Sequence, residues 1–155
     1  MVGGSAVNVA MQLKKLGNNV AVIAKVGDDT AAQQIRQMLR DDDINTELLS
    51  VGEGLSTSVA INIVSENGEF TGLHYGEASR QLKMEDINLN DSFFDQTAGI
   101  YFGGTIKQPL VFEHTEELFR ELSEKGVNVF FEPNRFPPED ASIDRSLIRR
   151  QLSYV

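Results

Sequence analysis

The chain has no cysteine, which rules out a disulfide framework and thiolate metal sites and fits a reducing cytoplasm. Histidine is almost as scarce, with two in 155 residues. His74 and His114 have no companion at catalytic spacing, so each reads as a surface or packing residue rather than a base. No apolar run approaches the length of a membrane span, and the N-terminus lacks the basic start and apolar stretch of a signal peptide. Positive charge is also in deficit: 14 Lys and Arg face 23 Asp and Glu, a net −9. Such a chain is repelled by phosphodiester backbones and anionic lipid, so neither nucleic acid nor membrane is expected as a partner. A cytoplasmic protein with small-molecule ligands is the expectation that remains.

What is present suits one ordinary core. The chain is 41% hydrophobic and 24% charged, which argues against disorder and for a single domain spanning residues 1–155. Ala6, Val9, Ala10, Leu13 and Leu16 recur at helical spacing, and Gly17 supplies a stop. "VAVIAKV", residues 20–26, is a nearly unbroken apolar run, as expected of a strand covered on both faces. Asp28 or Asp29 can cap a second helix with Ala32, Ile35, Met38 and Leu39 inward. "INTELLSV" reads as another strand. Further on, "STSVAINIVS", the turn signal "ENG" and "EFTGLHY" predict an antiparallel hairpin over residues 57–75, with approximate outer limits of 55 and 76. "AGIYFGG" and "VNVFF" are predicted strands. Between them Pro109 starts a helix predicted to run to about Lys125, where Gly126 ends it. The prolines of "EPNRFPPED" forbid regular structure there, and "SLIRRQL" predicts a last helix. Alternating β and α periods with one hairpin argue for an α/β sheet covered by helices.

Two glycines open the chain. Gly3 and Gly4 let a backbone approach a ligand closely at a helix N-terminus, where free N–H groups favour anions or hydroxyl oxygens. Asn8, one turn on, lies with Gln12 and Lys15 away from the apolar stripe and can both donate to and accept from a hydroxyl. The dinucleotide fingerprint G-x-G-x-x-G is absent. "DDD" at residues 41–43 lacks the glycine and spacing of a calcium loop and reads as a solvated charge run. Phe93, Phe94, Phe102, Phe130 and Phe131 are expected to fill the core.

The stretch "GGSAVNVAMQLKKLGNNVAVIAKVG" resembles the first signature of the ribokinase-like (PfkB) carbohydrate kinase family. Gly3, Gly4, Ala6, Asn8, Ala10, Gly17 and Gly27 all fall in register. The similarity continues through "GDD", the hairpin, "IYFGG" and "FFEPNR". It implies an incomplete ribokinase-like three-layer α/β/α sandwich with a small β-lid formed by the hairpin. It also implies transfer of the γ-phosphoryl of ATP, with Mg2+, to a hydroxyl of a sugar, sugar phosphate or nucleoside. By that similarity Gly3, Gly4 and Asn8 hold substrate hydroxyls, and Thr57 at the start of the lid joins the substrate contacts. A homodimer through the lid is the protein partner expected. "EPNR" is similar to the family's D-P-N-x-R loop, with Glu132 in place of Asp and with Arg135 directly after Asn134. Asn134 and Arg135 are the candidates near the nucleotide.

The resemblance also marks what these 155 residues lack. The family's G-A-G-D motif carries the base that deprotonates the sugar and an anion hole for the phosphoryl group, and it is not here. The N-x-x-E segment associated with magnesium is expected after Val155, and a first strand with a sugar-binding Asp before Met1. No catalytic residue and no metal ligand is therefore assigned within the chain. The expectation is an N-terminal half that binds substrate and does not phosphorylate unaided. The alternative is a non-catalytic sugar-binding or assembly module derived from the family.

Overall fold

A computed structural model describes residues 2–87, 92–104, 109–133 and 145–155. Helix α1, Ser5–Lys15, begins after Gly4 and stops at Gly17, whose φ of 86° is the left-handed conformation that ends helices. Strand β1, Ala24–Gly27, leads into helix α2, Thr30–Asp41, and strand β2, Leu49–Gly52. Strands β3, Val59–Val64, and β4, Phe70–Tyr75, form the hairpin. Strand β5, Gly99–Gly103, is followed by α3, Pro109–Phe112, α4, Thr115–Glu124, strand β6, Asn128–Glu132, and α5, Arg145–Gln151.

β1 pairs parallel with β2, and β5 parallel with β6, while β3 and β4 are antiparallel in the register Val59↔Tyr75 to Val64↔Phe70. The apolar run at 20–26 is regular strand only from Ala24 onward, with one earlier parallel bridge, Ala21↔Asn45. The partner offset rises from 24 residues at that bridge to 25 at Ala24↔Leu49, so the second strand carries one extra residue. That residue is absorbed in a turn where Asn45 Oδ1 accepts the Glu47 N–H at 2.7 Å. Arg36 and Arg40 of α2 fasten the turn. The Arg36 guanidinium donates to the Thr46 and Leu49 carbonyls at 3.2 and 2.6 Å, and Arg40 Nε donates to Thr46 Oγ1 at 3.2 Å.

Residues 20–24 divide two cores. Val22 is buried with Ala10, Leu39, Ile44 and Leu49, beneath α1 and α2. Its neighbour Ile23 packs against the other core, built from Phe102, Leu118, Phe119, Leu122 and Val129 beneath α3 and α4. Helices thus lie on both sides of the strands, which makes the chain an incomplete three-layer α/β/α arrangement.

Three expectations are corrected. The inward stripe of α1 is Val7, Ala10 and Met11; Leu16 is 78% exposed and Leu13 also faces solvent. Phe130 is 59% exposed, because β6 alternates faces and only Val129 and Phe131 turn toward the helices. The predicted helix over 109–125 is broken between α3 and α4. There the Thr115 hydroxyl donates to the Phe112 carbonyl at 2.7 Å, and the fully buried Gln151 amide from α5 reaches the same carbonyl at 3.4 Å, taking the place of a helical N–H.

Candidate functional site

Gly4 caps α1 without a side chain, at φ 103° and ψ 149°, a conformation that a residue with a Cβ rarely adopts. A Cβ built on Gly3 or Gly4 would meet nothing within 4 Å, so open space lies beside both. The Asn8 N–H donates to the Gly4 carbonyl at 2.9 Å, placing Asn8 one turn above the glycine. Asn8 is exposed, as are Gln12 and Lys15, and its carboxamide has no hydrogen-bond partner among the described residues. The first turn of α1 therefore presents free main-chain donors, open space and one amide that can bond in both senses.

This turn meets the carboxyl end of β5. A Cβ on Gly103 would lie 2.9 Å from Ser5 Cβ and 2.5 Å from the Tyr101 ring, so glycine is what allows the ring and α1 to close on the strand end. The Tyr101 hydroxyl donates to Glu132 Oε2 at 3.3 Å across the parallel register. Burial raises the Tyr101 pKa, and the neighbouring Glu132 carboxylate raises it further. The Glu132 carbonyl also accepts the Gly104 N–H at 3.0 Å, tying the ends of β5 and β6 together. Ligand sites of α/β folds characteristically lie at such carboxyl ends.

Thr57 belongs to a second cluster, at the carboxyl ends of β1 and β2. It is 3% exposed, and both its polar groups are engaged. Its Oγ1 donates to Asp29 Oδ1 at 2.6 Å and accepts the Gly27 N–H at 2.9 Å, and its N–H donates to Asp29 Oδ2 at 2.8 Å. Asp29 Oδ1 also accepts the Ala32 N–H at 2.9 Å, as the N-cap of α2. Hydrogen bonds from the Thr57 hydroxyl, then from the Thr57 and Ala32 N–H groups, hold the Asp29 pKa below its ordinary value. No described hydrogen bond joins Thr57 to Gly3, Gly4 or Asn8, so the sequence candidates fall into two groups rather than one. Asn134 and Arg135 lie outside the described residues.

The hairpin rises from this second cluster. Val59, Ile61 and Ile63 of β3 share a face with Leu73 and Tyr75 of β4, and all five are exposed, Ile63 by 57%. Its turn closes where Gly68, at φ 85°, donates to the Ser65 carbonyl at 3.0 Å. A cleft of about 350 Å³ lined by Glu77, Arg80, Gln81 and Leu110 lies beyond the exit of β4.

Other candidates resolve as structure. His74 and His114 are exposed. Asp43, two residues past the end of α2, takes φ 57° and pairs with Lys14 at 2.6 Å. Among the described residues there is no group of three or more His, Asp or Glu side chains that could hold a metal ion. No helix among them is long and apolar enough to cross a membrane. Of the two candidate caps for α2, Asp28 or Asp29, it is Asp29 that takes the position. The Asp29–Thr57 contact was not legible in the sequence, because its partners are 28 residues apart.

Comparison with known proteins agrees with this architecture. The profile described as pfkB family carbohydrate kinase matches residues 1–155. The chain is similar to the probable fructokinase-6, chloroplastic, of Arabidopsis thaliana, 25% identical over 93% of this chain and 38% of that protein. Fructokinase-2 of Oryza sativa subsp. japonica is 26% identical over 90% of this chain and 43% of its own length. The ribokinase of Dictyostelium discoideum is 33% identical over 56% of this chain and 27% of its own. Among solved structures, the fructokinase of Xylella fastidiosa with bound ATP superposes with a TM-score of 0.81 at 21% identity, covering 98% of this chain and 49% of that one. Ribokinase from Giardia lamblia gives 0.76 at 20% identity, over 94% and 47%. The chain thus spans less than half the length of these relatives.

Proposed function

Because the chain belongs to the pfkB family of carbohydrate kinases, we propose that it supplies the substrate-binding half of an ATP-dependent kinase acting on a sugar or sugar-like hydroxyl. The observation that carries this reading is the first turn of α1: Gly4 at φ 103° beside open space, with the Asn8 carboxamide, unpartnered among the described residues, one turn on. Main-chain N–H groups there donate to hydroxyl oxygens, and Asn8 both donates and accepts. Gly3, Gly4 and Asn8 hold the polyol. The hairpin over 55–76 acts as a lid that excludes water, so that the phosphoryl group passes to the sugar and not to solvent. Thr57 acts on substrate through the lid root, since its own hydroxyl is already engaged. Asn134 and Arg135 are the residues of this chain assigned next to the nucleotide. ATP, with Mg2+, is the phosphoryl donor of the whole protein, and the base that deprotonates the sugar lies in the G-A-G-D motif these residues do not contain. The chain alone therefore binds sugar and does not turn over ATP.

Titrating the chain with fructose, ribose and adenosine while following backbone amide resonances tests this. One of the three is expected to shift Gly4 and Asn8, and Asn8→Ala to weaken that binding about tenfold, the worth of one well-placed hydrogen bond. Silence at Gly4 and Asn8 with all three would remove the basis of the reading. A second reading, a non-catalytic sugar-binding or assembly module, is favoured by the exposed apolar face of Val59, Ile61, Ile63, Leu73 and Tyr75. That face would pair two copies through their lids. A chain that sediments as a monomer at working concentrations would remove the assembly part of that reading, and ATP turnover by a longer protein containing these residues would remove the non-catalytic part.

A further inference from the structure

The root of the hairpin is stitched to the body by polar contacts that a simple helix cap does not require. The Asp29 carboxylate accepts three hydrogen bonds, one from α2 and two from Thr57. Thr57 passes the connection to the Gly27 N–H at the end of β1. Asp28 Oδ2 accepts the Gly54 N–H at 3.0 Å, and the Ser56 carbonyl accepts the Glu77 and Ala78 N–H groups at 3.2 and 3.1 Å. Space is equally tight. A Cβ on Gly27 would lie 2.2 Å from the Leu55 carbonyl oxygen, and one on Gly76, at φ 84°, would lie 2.2 Å from the Thr57 carbonyl oxygen. Past this collar the hairpin strands make no hydrogen bond to the body among the described residues, apart from the Tyr75 hydroxyl 3.5 Å from Ser56 Oγ.

We propose that Asp29 is the positioning residue of the hairpin: one carboxylate holds the start of α2, the end of β1 and the hairpin root in a single register, so that the hairpin moves as one piece beyond Ser58 and Gly76. The hinge is therefore set by residues 27–29 of the body and not by the strands that move. A ligand bound at the end of β1 would sense the hairpin position through two hydrogen bonds, Gly27 to Thr57 and Thr57 to Asp29. This role of Asp29 rests on the lid reading for its purpose in a kinase. Its test needs no sugar, so its failure is distinct from a failure of sugar binding.

Asp29→Ser separates the two duties of the carboxylate, since serine is as good an N-cap but too short to reach Thr57. Amide hydrogen exchange on the chain is expected to speed at Thr57 about tenfold, while Gln33 to Leu39 of α2 stay within about twofold. Equal acceleration in α2 would reduce Asp29 to a cap, and an unchanged Thr57 would remove the latch. Thr57→Val and Thr57→Ser provide a reading that leaves Asp29 intact: valine should speed exchange at the Gly27 amide about tenfold, and serine should restore it. Failure of serine to restore it would mean that packing, not the hydroxyl, holds the root. In the unaltered chain, a Thr57 amide exchanging as fast as an unstructured peptide overturns the proposal outright.

Discussion

The β5–β6 pair and the hairpin are built from similar residues, yet they are held by different forces. Ile100, Phe102, Val129 and Phe131 turn one face of the parallel pair onto Phe119 and Leu122 of α4, which are fully buried. The Phe119 ring sits 4.7 Å from that of Phe102 and 5.2 Å from that of Phe131. The hairpin has the same alternation of β-branched residues, but every described residue from 59 to 75 is exposed. Its position comes from a polar collar at its base. Alternation therefore specifies a strand and its pairing, while what covers the strand is decided elsewhere in the chain.

The contrast can be broken by substitution. Phe119→Ala should cost most, about 3–5 kcal/mol, because it removes the ring that closes both aromatic contacts and leaves a cavity. Urea unfolding measures it, and a loss below about 1 kcal/mol would mean the body is not organised around α4. Lys25→Met should cost about 2–3 kcal/mol by stranding Asp86, whose carboxylate now takes Lys25 Nζ at 2.7 and 3.0 Å with both side chains largely buried. Gly27→Ala should cost about 1–3 kcal/mol, since the new methyl meets backbone rather than a side chain that can yield. Ile61→Ala should change stability by no more than about 0.5 kcal/mol, as expected of an exposed site. A hairpin substitution as costly as Phe119→Ala would show that the exposed hairpin face is covered in solution.

Acid sharpens the same comparison. Burial pushes the Asp86 pKa up, but hydrogen bonds from Lys25, from the Lys83 N–H and from Ser50 outweigh it and leave it below 3.8. A carboxylate depressed on folding contributes stability that is fully present above its unfolded value and lost as pH falls through its folded value. Unfolding midpoints should therefore drop below pH 3.8, and Lys25→Met should flatten much of that dependence. Asp29, depressed by its bonds from Thr57 and Ala32, should lose protection at the hairpin root over the same acid range.

Much of the fold was legible wherever one local signal sufficed. Gly17 and Gly126 take the positive φ that their places after helices suggested. Asp29 caps α2, and Asn67 and Gly68 close the hairpin. The family signature was legible for the same reason, since its residues lie within one continuous stretch. What escaped depended on distant partners. The break at Phe112 needs Gln151, and the exposure of Leu13 and Leu16 depends on what α1 rests against. The candidate site around Gly4 and Asn8 could be named from residue types alone, because they lie within one helical turn. The engagement of Thr57 could not, because a threonine opening a strand looks the same whether its hydroxyl is free or shared between an aspartate and a backbone amide.

The division made by Val22 and Ile23 sets a rule for length. A one-residue insertion just before them would exchange a valine for an isoleucine across a wall one backbone thick, a swap that a hydropathy profile would hardly register. Gly27 would slide out from beneath Leu55 at the same moment. In this stretch counting matters more than composition: trading one aliphatic residue for another costs about 1 kcal/mol, whereas an added residue turns every following side chain to the opposite face.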